Sequence, residues 1–319
     1  MERPHPHPWF VLAALARAAD FVARRRRSVL PRATGAQLPT LAVHGLALGG
    51  AGKTPACLWL AERLARRTGG RVAVGTRPRA VVADEIELYR RRLPAAAVFP
   101  EERPARAVER AESAGCAAIV LDDPSLAHAA PAHFRLVCLG PGDDWRAPIF
   151  PAGDRRPGCV RPGEADHLLL VGRSDAPAGV ALRSARASVE VVGFVPADTW
   201  PAGEPRRPPP GRPPVFVLCA VARAERVVRT VEACGCRVAG ADLRRDHSPL
   251  SRAVLERAAR AARAVGAKWV VLTEKDAARC GAAPPVAAPG GPAWMVVRVG
   301  LRVDGGDELV ERFLRSAGS

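Results

Sequence analysis

Lysine is nearly missing from this sequence: only Lys53, Lys268 and Lys275 occur, and every other basic side chain is arginine. Where basic positions have become arginine, a retained lysine points to chemistry that a planar guanidinium cannot perform. Aromatic residues are also scarce, at 5%, and no recognisable nucleic-acid module or stacking platform accompanies them. The formal charge of +16 therefore does not argue for a nucleic-acid partner, and none is expected. It fits a phosphate or anionic-lipid partner, or simply an arginine-rich solvated surface produced by compositional bias. The eight cysteines form no C-x-x-C pair, and no histidine stands at zinc-finger spacing. A metal cluster or disulfide framework is thereby excluded, and reduced, buried thiols are expected.

Long apolar runs are absent as well. Trp9 to Ala16 is apolar but is interrupted by Arg17 and Asp20 and followed by the basic run Arg24 to Arg27, far short of the ~20 residues that span a bilayer. Neither a charged n-region nor a small-residue cleavage site marks it as a signal peptide. As a helix it offers Trp9, Phe10, Leu12, Ala13, Ala16 and Phe21 to an apolar phase, and residues 1–32 hold seven arginines against two acids. Such a segment either packs on its own domain or lies on an anionic membrane surface, at roughly 1 kcal/mol per basic residue near the headgroups.

What is present reads as α/β. The 319 residues suffice for two domains. Short strand-like runs (40–44, 72–75, 117–121, 136–139 and 167–171) alternate with helix-like stretches such as 55–67 and 104–113. This is the βαβ pattern of a mainly parallel sheet. Residues 201–214 (PAGEPRRPPPGRPP) are too rich in proline for a helix or sheet interior and read as a stiff linker. Alternation resumes beyond it, including a helix expected to start at Ser248-Pro249 and stop at Gly266. The expected division is an N-terminal surface helix and basic run over 1–32, a phosphate-loop domain over 33–200, the linker over 201–214, and a smaller α/β domain over 215–319.

Residues 40–55, TLAVHGLALGGAGKTP, place a glycine-rich turn between an apolar strand and a helix. Backbone N–H groups of Gly49, Gly50, Ala51 and Gly52 can converge on phosphate oxygens at the helix N-terminus. Lys53 can reach the terminal phosphates, and Thr54 can ligate magnesium. The strict G-x-x-x-x-G-K-[ST] pattern fails only at its first glycine, where Ala47 stands. The run AAIVLDD then sets Asp122 and Asp123 after an apolar strand, the arrangement in which an aspartate meets nucleotide-bound magnesium.

The order GGAGKTP, an arginine-bearing loop, ADE, LDD, PAG, ARAER, DH and TEKDAAR resembles the lipid A 4'-kinase (tetraacyldisaccharide 4'-kinase) family along most of the chain. The resemblance implies a phosphate-loop NTPase-like domain with a second α/β domain, and an enzyme using ATP and Mg2+. Its implied acceptor is the 4'-hydroxyl of an acylated glucosamine disaccharide, at the cytoplasmic face of the bacterial inner membrane. It further implies Asp84 as base for the sugar hydroxyl, His247 (in Asp246-His247) assisting it across the domain interface, Arg77 over the phosphates, and Glu85 beside Asp122, Asp123 and Thr54 at the metal. Lys275 and Asp276 of TEKD receive no firm role.

The family's R-G-Y-G stands here as Arg77-Pro78-Arg79-Ala80, and the loop to Asp84 is short. D-D-G-F-Q-H is reduced to Asp122-Asp123-Pro124-Ser125-Leu126-Ala127 with His128 following. P-A-G-P-L-R-E becomes Pro151-Ala152-Gly153-Asp154-Arg155-Arg156-Pro157. These changes leave open an altered glycolipid acceptor, or a non-catalytic relative that binds nucleotide and membrane.

Overall fold

The computed structural model describes residues 8–26, 38–47, 49–78, 83–124, 132–280 and 290–318. Arg27, Arg32, Arg79, Ala80, the 125–127 segment and His128 lie outside them. Contacts divide the chain into two compact units, one of residues 1–78, 95–189 and 301–319, the other of 79–94 and 190–300.

In the first unit the strands are β1 (Thr40–Gly45), β2 (Val72–Thr76), β3 (Ala97–Pro100), β4 (Ala118–Asp122), β5 (Phe134–Leu139), β6 (His167–Val171) and the first half of β7 (Ser184–Pro196). They pair in parallel in the order β3-β2-β4-β1-β5-β6-β7. Every position of β1, β2, β4, β5 and β6 is buried, as strands covered on both faces require. Helix α1 (Pro8–Arg26), α2 (Lys53–Thr68) and α4 (Pro104–Ser113) belong to this unit. So does α8 (Gly306–Ala317), whose Phe313 meets Phe134 edge-on with ring centroids 6.2 Å apart. Gly306 seats α8 on α2: a Cβ there would lie 2.5 Å from the Trp59 ring.

The second unit holds α3 (Ala83–Arg92), the end of β7, β8 (Pro214–Cys219), α5 (Ala224–Ala233), β9 (Arg237–Leu243), α6 (Arg252–Ala264), β10 (Trp269–Thr273), α7 (Glu274–Arg279) and most of β11 (Ala293–Val303). Its strand order is β7-β11-β10-β8-β9. Val254, Ala258 and Ala262 give α6 one buried face that packs with Leu218, Val270 and Leu272. This helix begins at Arg252, one turn later than Ser248-Pro249 suggests, with Ser251 in the N-cap position; Gly266 follows its end at φ +66.

The units interleave in sequence, whereas the proline-rich segment suggests a single linear division. Residues 201–214 fall inside the second unit, between β7 and β8, and the chain returns to the first unit after Gly300. Asp84 and His247 thus lie in the same unit, which corrects the expectation that they face each other across a domain interface. The reason is local: α3 packs against α7, and Leu88 of α3 joins the core of the second unit.

Candidate active site

Strand β1 ends at Gly45 and α2 begins at Lys53, so the glycine-rich turn lies at the C-terminal edge of the parallel sheet, where α/β folds bind ligands. Gly49, Gly50 and Gly52 adopt φ of +97, +68 and +84, a region that costs a side chain strain and lets successive N–H groups face one way. Gly52 is also packed: a Cβ there would lie 2.8 Å from Val171. Thr54 is buried in the first turn of α2.

Lys53 folds back over the end of β1. A Cβ on Gly45 would meet its Nζ at 2.8 Å, so the strand's last residue must lack a side chain for the lysine to occupy this place. The ammonium lies 4.0 Å from Asp123 Oδ2. Arg77 Nη2 donates to the same oxygen at 3.3 Å, and Arg156 Nη1 makes a close contact with it. Asp123 itself takes φ +49, just past the buried Asp122 that ends β4. Phosphate loop, aspartates and Arg77 are therefore brought together in the first unit as expected. Arg156 is an addition, and PAGDRRP carried its signal as the one arginine retained from that family motif.

Burial pushes the Asp123 carboxyl up, but Lys53, Arg156, Arg77 and His44 together outweigh it and hold the group at about 2. A carboxylate depressed on folding contributes stability above its unfolded value and loses it as pH falls through the folded one. For Asp123 this amounts to about 2 kcal/mol, present at neutral pH and lost between about pH 4 and about pH 2. Asp123→Asn should accordingly lower unfolding stability by about 2 kcal/mol in urea titrations at neutral pH. The gap should shrink as wild type and variant are compared at increasingly acid pH; a pH-independent gap would contradict the ionic origin.

The second cluster lies in the second unit. Asp84, in the first turn of α3, has only 2% of its side chain exposed. Its Oδ2 accepts from Arg279 Nη2 at 2.6 Å and lies 3.3 Å from His247 Nδ1, while Oδ1 accepts from the Glu85 N–H at 3.0 Å. The His247 contact has ion-pair distance without hydrogen-bond geometry. His247 is held at φ +59, with its N–H on the Ala220 carbonyl at 3.1 Å. Arg279 is a residue that sequence reasoning left without a role, although it ends the quoted TEKDAAR. It also bonds the carbonyls of Ala220 and Ser248 and the carboxylate of Asp276.

The remaining TEKD residues are structural. Asp276 is fully buried and accepts from Ala220 N–H, Thr273 Oγ1 and Arg279; burial raises its carboxyl above the usual range despite these partners. Glu274 is clamped by Arg92 at 2.7 Å and by the Trp200 indole at 3.2 Å. Lys275 pairs with Glu85. Glu85, expected at the metal, thus has its charge met by the lysine that the arginine-rich composition spared.

Among the described residues no group of three or more His, Cys, Asp or Glu side chains could by itself hold a metal ion. Magnesium in kinases is held by one or two protein oxygens plus the phosphates. Thr54 and Asp122 offer such hard oxygens on α2 and on β4, and Asp122 is in register with Val43 of β1, the strand that feeds the phosphate loop. The donor set fits the ion.

The family of tetraacyldisaccharide-1-P 4'-kinases matches residues 8–317. The chain belongs to this family. It is similar to the tetraacyldisaccharide 4'-kinases of Anaeromyxobacter dehalogenans strain 2CP-C (34% identity, 90% of this chain and 84% of that one) and Parvibaculum lavamentivorans (29%, 88% and 82%). The LpxK structure from Aquifex aeolicus, a complex with ATP, shares the fold at a TM-score of 0.72, with 17% identity over 97% of this chain and 99% of that one.

Proposed function

We infer that the chain transfers the γ-phosphate of ATP to the 4'-hydroxyl of an acylated glucosamine disaccharide, the lipid A precursor. One observation carries the reading: in a chain of this kinase family, Lys53, at the end of a glycine loop, is seated on Gly45 beside Asp123. The loop N–H groups and the α2 N-terminus bind the phosphates, and Lys53 and Arg77 face the charge that develops on the transferred group. Thr54 and Asp122 would hold magnesium, which supplies charge neutralisation at the phosphates when bound. Asp84 takes the proton of the sugar hydroxyl late in a loose transition state, with His247 and Arg279 orienting its carboxylate. Asp123 and Glu85 fit the metal less well, because each already faces basic side chains.

A cavity of about 530 Å³ in the first unit suits an acylated acceptor. Ala18, Ala19, Val22 and Ala23 of α1 wall one side; Arg77, Asp123 and Arg156 stand on another. Asp20 anchors that wall, since its Oδ1 accepts from the Gly158 N–H at 2.9 Å. It therefore works as a tether inside what the sequence alone presents as an interrupted apolar run.

Helix α1 also exposes the large apolar side chains of Trp9, Phe10, Val11, Leu15 and Phe21. Ala16, expected among them, is instead buried. None of the described helices is long and apolar enough to cross a membrane. We place the helix in the surface of an anionic bilayer, the cytoplasmic leaflet of the inner membrane, on these exposed apolar side chains and the flanking arginines.

The test is γ-phosphate transfer to the disaccharide precursor in detergent. Nucleotide binding with no transfer would make the chain a non-catalytic relative; transfer to another glycolipid alone would revise the acceptor. For the membrane, replacing Trp9 and Phe10 by Glu should reduce flotation with anionic liposomes at least tenfold, since each large apolar side chain contributes about 1.5–3 kcal/mol of burial. Unchanged flotation would remove the helix from the account.

A further inference from the structure

Asp276 is a buried charge that the transfer chemistry leaves without a task. It stands in the first turn of α7, which follows β10 directly, and its exposure is 0%. Burial raises its carboxyl above the usual range even with its partners in place, so the group is costly to keep there.

An acid in the first turn of a helix ordinarily serves that helix, through the macrodipole or a capping box. Thr273 already caps α7, its Oγ1 accepting the Asp276 N–H at 3.2 Å. The carboxylate is directed elsewhere. Oδ2 accepts from Thr273 Oγ1 at 2.6 Å, whereas Oδ1 reaches 56 positions back to the Ala220 N–H at 3.1 Å and also accepts from Arg279 Nη1 at 3.2 Å. Strands β8 and β10 pair in parallel, so Ala220, just past β8, and the start of α7, just past β10, lie at one edge of the sheet.

Ala220 passes the hold on. Its carbonyl accepts the His247 N–H at 3.1 Å and Arg279 Nη1 at 3.2 Å, and Nη1 also donates to the Ser248 carbonyl at 3.1 Å. His247 is thus gripped on both sides, by its own N–H on Ala220 and by the next residue's carbonyl on Arg279. Both grips lead to Asp276. They are needed, because φ +59 is a region that a residue with a side chain keeps only when its surroundings over-determine it. The same contacts orient the guanidinium. With Nη1 committed to Asp276, Ala220 and Ser248, Nη2 is turned to Asp84 Oδ2 at 2.6 Å. Every residue in this chain of contacts belongs to the second unit.

We propose that Asp276 is a positioning residue for the phosphoryl transfer: it anchors Ala220 and Arg279, and through them sets the His247 ring and the Arg279 fork on the Asp84 carboxylate. The proposal rests on the reading of Asp84 as the proton acceptor. Asp276 acts only through these neighbours.

The test compares γ-phosphate transfer by the full chain as wild type, Asp276→Ala and Asp276→Asn. Alanine removes every acceptor, so kcat should fall by about 10–10²-fold, the cost of misplacing catalytic groups. The KM for ATP should be unchanged, since the phosphate loop belongs to the first unit. Asparagine keeps an oxygen for the Ala220 N–H and sheds the buried charge, so it should fold and recover most of the loss. In an Asp84→Asn background, Asp276→Ala should change the residual transfer by less than about threefold, because positioning a base that is absent has no value. A merely structural aspartate would cut both backgrounds by the same factor.

A spectroscopic arm needs no turnover. The ring resonances of His247, assigned with His247→Gln, should move in Asp276→Ala and return in Asp276→Asn, while those of His133 and His167 in the first unit stay in place. Should Asp276→Ala fail to fold, Thr273→Val, which removes the donor to Oδ2, takes its place, with a smaller loss of kcat and a shift of the same resonances. A wild-type kcat in the alanine variant, equal losses in both backgrounds, an asparagine variant no better than alanine, or unmoved His247 resonances each overturn the proposal. A wild type that transfers no phosphate overturns the kinase reading instead, and the resonances alone then decide whether Asp276 holds His247.

Discussion

Lys53→Met is expected to lower the rate of γ-phosphate transfer by about 10²–10³-fold while leaving the fold intact. The lysine contributes little to the packed core: its carbon stem lies over Gly45 and its ammonium stands among Asp123, Arg77 and Arg156. Its charge is worth most where negative charge redistributes on the transferring phosphoryl group, so the loss should fall on kcat more than on KM. Methionine keeps the stem and removes the charge. Gly45→Ala provides the complementary test from the other side of the contact. The new Cβ would lie 2.8 Å from Nζ, and the flexible end of Lys53 would yield rather than the strand. Transfer should therefore fall by about tenfold with thermal stability nearly unchanged. Single-turnover transfer and thermal unfolding on the three proteins decide the matter. Wild-type rates in Lys53→Met would remove this lysine from the chemistry.

Gly45 also marks where the sequence stopped being legible. The glycine loop, Lys53 and Thr54 were readable because a phosphate site needs backbone N–H groups, a helix start and a lysine in fixed order. Most strands were readable because fully buried parallel strands are short apolar runs between turn residues. Gly45 was not, since its reason is a side chain eight residues on that folds back over it. Strand β7 escaped because only five of its thirteen residues are buried, and the exposed and half-buried ones break the apolar pattern. Helix α8 escaped although its buried positions, Leu309, Val310 and Phe313, are helically spaced; they gain meaning only from the first unit, which the chain rejoins after β11.

Long-range pairing accounts for the site residues as well. Arg156 reaches Asp123 across 33 positions and Arg279 reaches Asp84 across 195. No local pattern encodes either: Arg156 was the one arginine kept in an eroded motif, and Arg279 the last letter of a retained one. The same distance effect moved Glu85. Its place beside Asp84 suggested a metal ligand, whereas Lys275, 190 positions away, pairs with it. The scarcity of lysine singled out Lys53 and Lys275, but the ion pair of Lys275 with Glu85 is one that an arginine could also make.

The carboxylate at Asp84 supports the other large prediction. Asp84→Asn preserves shape and removes the acceptor of the hydroxyl proton, so transfer should fall by about 10²–10⁴-fold, the range for a positioned general base. Nucleotide affinity should be unchanged, because the phosphate loop belongs to the other unit. His247→Ala should cost less, about tenfold, since its ring at 3.3 Å orients the carboxylate without reacting. In the double variant the two losses should not add, because orienting a base that is gone has no value. Arg279→Ala is a different case. Its guanidinium meets two buried carboxylates, Asp84 and Asp276, and removing it leaves both without that partner. Unfolding should become easier by about 3–5 kcal/mol, the cost of breaking a buried charge pair. Urea titration separates this variant from Asp84→Asn, which should lose less stability, because the amide keeps an oxygen for Arg279 and the guanidinium keeps Asp276. If instead Asp84→Asn transfers phosphate at the wild-type rate while Arg279→Ala unfolds, the cluster is a structural brace of the second unit, and the base must be sought among other residues.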